Sequence, residues 1–167
     1  MESFSIPGVG GIIEKNINGI DFILIQNRCK DKAKSEFGLL EIPAGKIREF
    51  ENIFDCLRRE IWEETGLTVT NIKGENEAIV FEANGYKVLN YTPFSCSQNI
   101  EGIYPILVQI FICNAEGALL NKSNETTNIR WVSLVELKDL LENDTSMFYP
   151  MHVTTLKKYI EMKFRFS

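Results

Sequence analysis

Short apolar runs alternate with polar turns along most of the chain, and this pattern predicts a sheet. Residues 22–25 form a continuous apolar run that is typical of a strand covered on both faces, and residues 6–15 and 106–113 are further strand candidates. Asn18-Gly19 and Asn84-Gly85 favour tight hairpin turns. Additional short strands are expected at residues 37–42, 67–69, 78–81, 86–89 and 129–132.

Helical spacing of apolar residues appears in three places. The first spans residues 52–65 and is followed by Gly66, which suits a left-handed helix stop. Ser133 and Glu136 form a capping box that opens a second helix, and Pro150 suits the first turn of a third. The apolar side of the first helix consists of Ile53, Phe54, Leu57 and Ile61.

A fixed pattern of residue types runs through the first helix and the loop before it. On a helix, residues three and four positions apart are neighbours, so Glu60, Glu63 and Glu64 share one patch, and Arg59 can brace Glu63. With average residue frequencies of about 6%, the whole pattern would arise by chance with odds on the order of 10⁻⁷. Its members are Gly45, Glu51, Arg59, Glu60, Ile61, Glu63, Glu64, Gly66 and Leu67.

The three clustered glutamates allow two interpretations. Exposed carboxylates at this spacing repel by only about 0.2–0.5 kcal/mol, so the patch is compatible with a solvated acidic face. Partly buried carboxylates would repel more strongly, unless a cation lay among them. Clustered carboxylate oxygens suit Mg²⁺ or Mn²⁺ better than zinc. From the three acids alone, a metal site and a solvated face remain equally open.

The complete pattern resembles the signature of the Nudix hydrolase superfamily at every defining position. The resemblance implies a Nudix-type α/β/α sandwich with a mixed central sheet, and Mg²⁺-dependent hydrolysis of a nucleoside diphosphate linked to another group. It also implies that Glu60, Glu63 and Glu64 bind the metal and that Arg59 orients these acids. By the same resemblance, Gly45 offers a main-chain carbonyl near the metal, and Glu51 supports the loop and helix or the outer shell of the metal.

The segment LEIPAGK before the helix resembles the corresponding stretch of family members that act on ADP-sugars. It favours a substrate similar to ADP-ribose or a nucleotide sugar. Glu41 in this segment is expected to project near the acidic helix, and Arg28 is a candidate for a substrate phosphate, although an exposed arginine at a strand end is common. The alternatives are a nucleoside triphosphate pyrophosphohydrolase and a sensing module without catalysis, although such modules usually lose the signature acids.

A long polar loop is expected at residues 114–128, and loops of this length are often functional. The water that attacks phosphorus must lose a proton, and a loop glutamate is able to accept it. The resemblance makes Glu125 the first candidate for this general base and Glu116 the second, whereas both could equally serve only to keep the loop soluble. His152, the single histidine, is expected to be structural.

Composition limits the partners of the chain. Its 167 residues suit one domain covering 1–167, and a net charge of −5 without a basic block argues against a nucleic-acid duplex. No apolar run approaches the length of a membrane span, and no signal peptide is evident. Four cysteines without metal-binding spacing suit a reduced, cytoplasmic protein. The expected partner is a nucleotide-derived small molecule, and homodimers are common in the family.

Overall fold

The computed structural model describes residues 1–29 and 34–165. These residues form ten strands and three α-helices. The helices are α1 (Ile53–Thr65), α2 (Leu134–Asn143) and α3 (Pro150–Arg165), with short 3₁₀ turns at Lys34–Glu36 and Thr145–Met147. The strands are β1 (Ile6–Ile17), β2 (Ile20–Arg28), β3 (Leu40–Glu41), β4 (Ala44–Lys46), β5 (Thr68–Ile72), β6 (Ile79–Ala83), β7 (Tyr86–Asn90), β8 (Ser95–Gln98), β9 (Ile106–Glu116) and β10 (Thr126–Ser133).

A mixed sheet forms the centre of the molecule. Its main path runs in the order β10-β2-β1-β9-β5, with β3 paired to β2, β4 to β1 and β8 to β9. Only the pairing of β1 with β9 is parallel within this described sheet. Strands β6 and β7 pair with each other in a separate two-stranded sheet.

Helices cover both faces of the central sheet. Each central strand contributes side chains to both faces, because neighbouring residues of a strand point to opposite sides. On β1, Ile13 joins the cluster under α1, whereas Ile12 joins the cluster under α2 and α3. On β2, Leu24 and Ile25 divide in the same way, and all four side chains are fully buried. The predicted α/β/α sandwich with a mixed central sheet is confirmed.

Several predicted boundaries were wrong where long-range pairing overrides the local signal. The strand expected at residues 37–42 is only Leu40–Glu41, since Gly38 adopts a positive φ of 84° in the turn before it. Pro43 predicts that the chain breaks into a loop after residue 42, but pairing resumes at Ala44–Lys46. The polar stretch at residues 96–102 also predicts a loop, but its first residues belong to the edge strand Ser95–Gln98. The charged stretch at residues 29–36 predicts a loop as well, and part of it lies outside the described residues.

The polar segment at residues 114–128 is also shorter as a loop than the sequence indicates. Strand β9 continues to Glu116 because its last residues pair with β5, and β10 already starts at Thr126 because it pairs with β2. The connection is therefore residues 117–125, and its Leu120 N–H donates to the Thr65 carbonyl at the end of α1. This bond holds the connection against the helix that carries the acidic residues.

Candidate functional site

Local capping fixes both ends of α1. The Asn52 side chain accepts the Phe54 N–H at 2.9 Å, and Gly66 adopts a left-handed φ of 78° after the last turn. The apolar side predicted from spacing is buried against the sheet. Glu63 is exposed on the outer side of α1, whereas Glu60 is mostly buried against the loop before the helix, and Glu64 is 3% exposed and buried towards β2.

Arg59 is the centre of the predicted acidic cluster. Its Nε and Nη2 donate to the two oxygens of Glu51 at 2.8 and 3.0 Å, which makes a bidentate pair. Its Nη1 donates to Glu60, and also to Glu63 Oε2 at 3.3 Å. Its Nη2 also donates to the carbonyl of Lys46 at 3.2 Å. One guanidinium thus joins three acids of the signature to the loop before the helix.

Glu51 and Arg59 hold each other in the ionised state. Hydrogen bonding to Arg59 lowers the pKa of Glu51 to about 2, and bonding to Glu51 raises the pKa of Arg59. Cys56 packs beside them, with Sγ 3.3 Å from Arg59 Nη2. Burial raises the pKa of the Cys56 thiol to about 12, so this cysteine stays neutral and unreactive.

Gly45 has a steric role towards Glu60, because its missing side chain leaves space for the Glu60 carboxylate. A Cβ added at Gly45 would lie 1.9 Å from the carboxyl carbon of Glu60 and 2.1 and 2.3 Å from its two oxygens. The Glu60 carboxylate therefore occupies the space that any other side chain would fill. The Gly45 carbonyl oxygen lies 3.2 Å from the position of a Cβ on Gly8, towards β1, and its predicted contact with a metal stays a prediction.

Glu64 is held by donors from two different strand segments. Its Oε2 accepts the Gln26 Nε2 at 2.8 Å and the Ala44 N–H at 3.2 Å. Gln26 is fully buried, and the same nitrogen lies 3.4 Å from Glu41 Oε1. Gln26 was missed in the sequence, although one signal existed: a polar residue directly after a run covered on both faces needs a buried partner.

Arg28 and Glu41, the predicted substrate-binding residues, lie in one network with Glu64. Arg28 Nη1 donates to Glu41 Oε2 at 2.8 Å and Nε donates to Glu36 Oε2 at 2.9 Å. The guanidinium also lies 4.2 Å from the ring centroid of Tyr149. Burial disfavours the charge of Arg28, but the attraction of Glu41 outweighs it and raises the pKa. Arg28 is thus braced by acids rather than freely exposed.

The general-base candidates lie at the two ends of the connection between β9 and β10. Glu125 is exposed, and its main-chain oxygen accepts the Cys29 N–H at 2.7 Å. The next residue, Thr126, is fully buried and donates to the main-chain oxygen of Glu64 at 3.3 Å. Glu116 ends β9 opposite Thr68 of β5. Glu125 is therefore linked to α1 through the hydrogen bond of Thr126, whereas Glu116 pairs with the edge strand β5.

The histidine is structural, as expected. His152 is 1% exposed, and its Nδ1 accepts the Ile42 N–H at 3.3 Å. From the sequence, Trp62, Trp131, Phe164 and Phe166 are expected in the core or at a dimer contact rather than as platforms for a base. Trp62 is 62% exposed, and Trp131 is partly buried with Lys15 over its ring at 5.0 Å. Phe164 is half-exposed, and Phe166 lies outside the described residues.

The signature acids fit a divalent cation in donor type, whereas their present side-chain arrangement does not gather three of them around one point. Their side-chain donors are carboxylate oxygens, which suit Mg²⁺ and Mn²⁺, and Gly45 leaves the space that brings Glu60 against the loop. In the present arrangement, no three Cys, His, Asp or Glu side chains within residues 1–29 and 34–165 are gathered closely enough to hold an ion. Arg59 draws Glu60 and Glu63 to one side, and Gln26 draws Glu64 to the other.

Comparison with known proteins assigns the chain to a family. A family model described as the NUDIX domain matches residues 5–151, which is most of the chain. The chain belongs to the Nudix family. Nudix proteins of this kind are pyrophosphohydrolases and generally use divalent metals, so the chain is a hydrolase that cleaves pyrophosphate bonds.

Solved structures share the Nudix fold at low sequence identity. The MutT protein of Methanosarcina mazei is 20% identical, with a TM-score of 0.60 and 98% of both chains covered. The NUDIX domain of Shewanella oneidensis NrtR, complexed with ADP ribose, is 13% identical, with a TM-score of 0.67, 97% of this chain and 90% of that chain covered. A Caenorhabditis elegans Ap4A hydrolase is 16% identical, with a TM-score of 0.56 and 95% and 97% covered.

Two further findings complete the comparison. None of the curated proteins matches this Nudix sequence. Within the described part of the chain, no helix has the length and apolar character needed to span a membrane.

Proposed function

We propose that this Nudix hydrolase cleaves the pyrophosphate bond of a nucleoside diphosphate linked to another moiety, such as ADP-ribose or a nucleotide sugar. The observation that carries the proposal is the packing of the acidic helix on the loop before it. Glu60 lies against Gly45 and Glu64 accepts the Ala44 N–H, so both acids are held beside the LEIPAGK segment. This segment resembles that of ADP-sugar hydrolases, and a domain of the same fold binds ADP ribose.

The cofactor in this proposal is Mg²⁺, for which Mn²⁺ is a substitute. Glu60, Glu63 and Glu64, together with the Gly45 carbonyl, would hold the cation. When bound there, it would neutralise phosphate charge and lower the pKa of an attacking water. Arg59 orients Glu60 and Glu63 through hydrogen bonds, and Glu51 in turn fixes Arg59 through the bidentate pair.

The other residues bind the substrate or move a proton. Arg28 supplies a positive charge that Glu41 and Tyr149 hold in place for a substrate phosphate. Glu125 accepts the proton of the attacking water, from a connection that Thr126 joins to Glu64. The substrate is a small nucleotide derivative, and we place the enzyme in the cytoplasm as a single domain.

A substrate screen tests this function. The purified chain is incubated with ADP-ribose, nucleotide sugars, dinucleotides and nucleoside triphosphates in the presence of Mg²⁺, and products are separated by chromatography. We expect two monophosphate products from ADP-ribose or a nucleotide sugar. Release of pyrophosphate from a triphosphate as the fastest reaction would refute the substrate class and favour the triphosphate alternative. Lack of turnover of every compound would instead favour a sensing role.

A matched variant tests the role of the acids. Glu64→Gln retains the size of the side chain but removes the charge, so we expect loss of most activity with little change in fold. Circular dichroism during thermal melting monitors the fold, and the phosphate products report activity. Full turnover by Glu64→Gln with Mg²⁺ present would refute the role of Glu64 as a metal ligand.

A further inference from the structure

Strand β3 lies between β2 and the chain segment that opens α3. Both of its residues pair with β2 on one edge. On the other edge, Leu40 pairs with Phe148 in a parallel bridge, and the Leu40 carbonyl accepts the Tyr149 N–H at 2.8 Å. The segment before α3 thus takes the place of a neighbouring strand and satisfies the main-chain groups of this edge.

His152 continues this pairing with its side chain. Leu40 and Ile42 present their main-chain groups to the same edge, because alternate residues of a strand do so. Opposite Ile42 the chain has already entered α3, and the Ile42 N–H donates to His152 Nδ1 at 3.3 Å. His152 is 1% exposed, so loss of this bond would leave a buried donor without water to replace its partner.

The bond also defines the state of the imidazole. A ring nitrogen that accepts a hydrogen bond carries no proton, so Nδ1 is unprotonated and Nε2 carries the proton of a neutral ring. The Tyr149 ring meets the imidazole edge to face, with 5.1 Å between the ring centroids. This contact restricts the orientation of the imidazole and keeps Nδ1 directed at Ile42.

Ile42 leads directly into the loop that meets the acids of α1. Two residues later, the Ala44 N–H donates to Glu64 Oε2 at 3.2 Å, and Gly45 then leaves the space that the Glu60 carboxylate occupies. The residue between Ile42 and Ala44 is a proline, whose ring fixes its φ. A displacement of Ile42 is therefore transmitted to the loop rather than absorbed by rotation of the main chain.

We propose that His152 is a positioning residue of the hydrolytic site, which fixes Ile42 and thereby the loop that holds the acids of α1. The proposal rests on the metal-binding role proposed for those acids. The same segment carries Tyr149, whose ring lies 4.2 Å from the Arg28 guanidinium. The start of α3 thus orients both the acids and the candidate residue for a substrate phosphate.

Three variants separate positioning from stability. His152→Leu removes the acceptor but keeps a side chain of similar size. His152→Asn retains an acceptor, because asparagine Oδ1 and histidine Nδ1 are both attached to Cγ. Thr155→Val is the matched control. Thr155 is fully buried one turn further along α3, and the change removes its hydrogen bond of 2.9 Å with Ser95.

Activity and metal affinity are the deciding measurements. With the compound that the wild type hydrolyses fastest, we expect kcat of His152→Leu to fall about 10-fold, and its affinity for Mn²⁺ to fall by a similar factor. His152→Asn should recover most of both, and Thr155→Val should retain wild-type values. Thermal melting should show losses of a few degrees for both His152→Leu and Thr155→Val, since each loses one buried hydrogen bond.

Equal kcat and Mn²⁺ affinity in His152→Leu and Thr155→Val would overturn the proposal and leave His152 a role in stability alone. A folded His152→Asn variant that loses as much as His152→Leu would overturn it as well. A wild type that neither binds Mn²⁺ nor hydrolyses any compound would instead refute the proposed function.

Nuclear magnetic resonance tests the positioning without a metal or a substrate. His152 is the only histidine, so long-range ¹H–¹⁵N spectra of the wild type report on this ring alone and should show a neutral imidazole with its proton on Nε2. The Ala44 amide should exchange with solvent on the order of 10-fold faster in His152→Leu, but not in Thr155→Val. A wild-type ring protonated on Nδ1 at neutral pH, or unchanged exchange at Ala44, would overturn the proposal.

Discussion

Replacing Gly45 by alanine gives a sharp test of how the acidic helix meets the loop. The new Cβ would lie 1.9 Å from the Glu60 carboxyl carbon, whereas carbon atoms in contact are separated by about 3.5 Å, so the carboxylate must move by about 1.5 Å. Glu60 ends in a flexible side chain that can swing away. The loss is then chiefly its charged hydrogen bond with Arg59, about 1–2 kcal/mol.

Activity should suffer far more than stability. A lowering of the melting temperature by about 3–6 °C follows from this energy for a chain of this size. A displacement of an active-site group by about 1 Å can reduce the rate on the order of 100-fold, and we expect at least that loss in kcat.

A double-mutant cycle separates this contact from a general effect of the added methyl group. In the background Glu60→Ala, the carboxylate that Gly45→Ala displaces is absent, so the second substitution should cost little further stability. Thermal melting of the four proteins measures the coupling. Additive losses in the cycle, or wild-type kcat for Gly45→Ala, would refute the reasoning.

The remaining predictions concern the residues that brace the acids. Arg59→Lys should reduce kcat about 10- to 100-fold in a steady-state assay, because lysine cannot replace the bidentate contact with Glu51; an unchanged kcat would contradict this. Gln26→Leu should weaken Mn²⁺ binding at least 10-fold, because Gln26 positions Glu64 through a hydrogen bond. The electron paramagnetic resonance signal of free Mn²⁺ measures this affinity, and an unchanged affinity would exclude a positioning role for Gln26. The pKa of Glu51 is lowered from 4.5 to about 2, so its contribution is complete above pH 4.5 and is lost as the pH falls towards 2. Urea unfolding of Glu51→Gln should therefore show a shallower loss of stability over that range, and an identical pH dependence would be evidence against the pairing.

Local sequence signals predicted α1 and its cluster because their causes are local. Asn52 and Gly66 cap the helix through neighbouring residues, and the contact of Arg59 with Glu63 spans one helical turn. The fold class was implied by the resemblance of the signature to the Nudix superfamily, whereas the apolar runs of strand length predicted strands of its sheet. Asn84-Gly85 identified the hairpin, but not its position outside the main sheet.

Contacts between distant segments were not readable from the sequence. Gln26 and Glu64 are 38 residues apart, and only the docking of α1 on β2 brings them together. The boundaries of β8 and β9 depend in the same way on which strands lie beside them. Arg28 appeared as an exposed strand end, whereas the fold places Glu36, Glu41 and Tyr149 around it.

The balance of charge on α1 gives a physical reason to expect a cation beside its acids. Arg58 makes two short contacts with Glu75, of 2.8 and 2.6 Å, and a longer one of 4.0 Å with Asp55, so its group retains an excess of one negative charge. The neighbouring Arg59 faces three carboxylates, so its cluster retains an excess of two negative charges even before Glu64 is included. Three carboxylates of the Arg59 cluster share one guanidinium, so a further cation among them would relieve their mutual repulsion. The excess equals the charge of one divalent ion, and we therefore expect the acids of α1 to repel one another until such an ion binds.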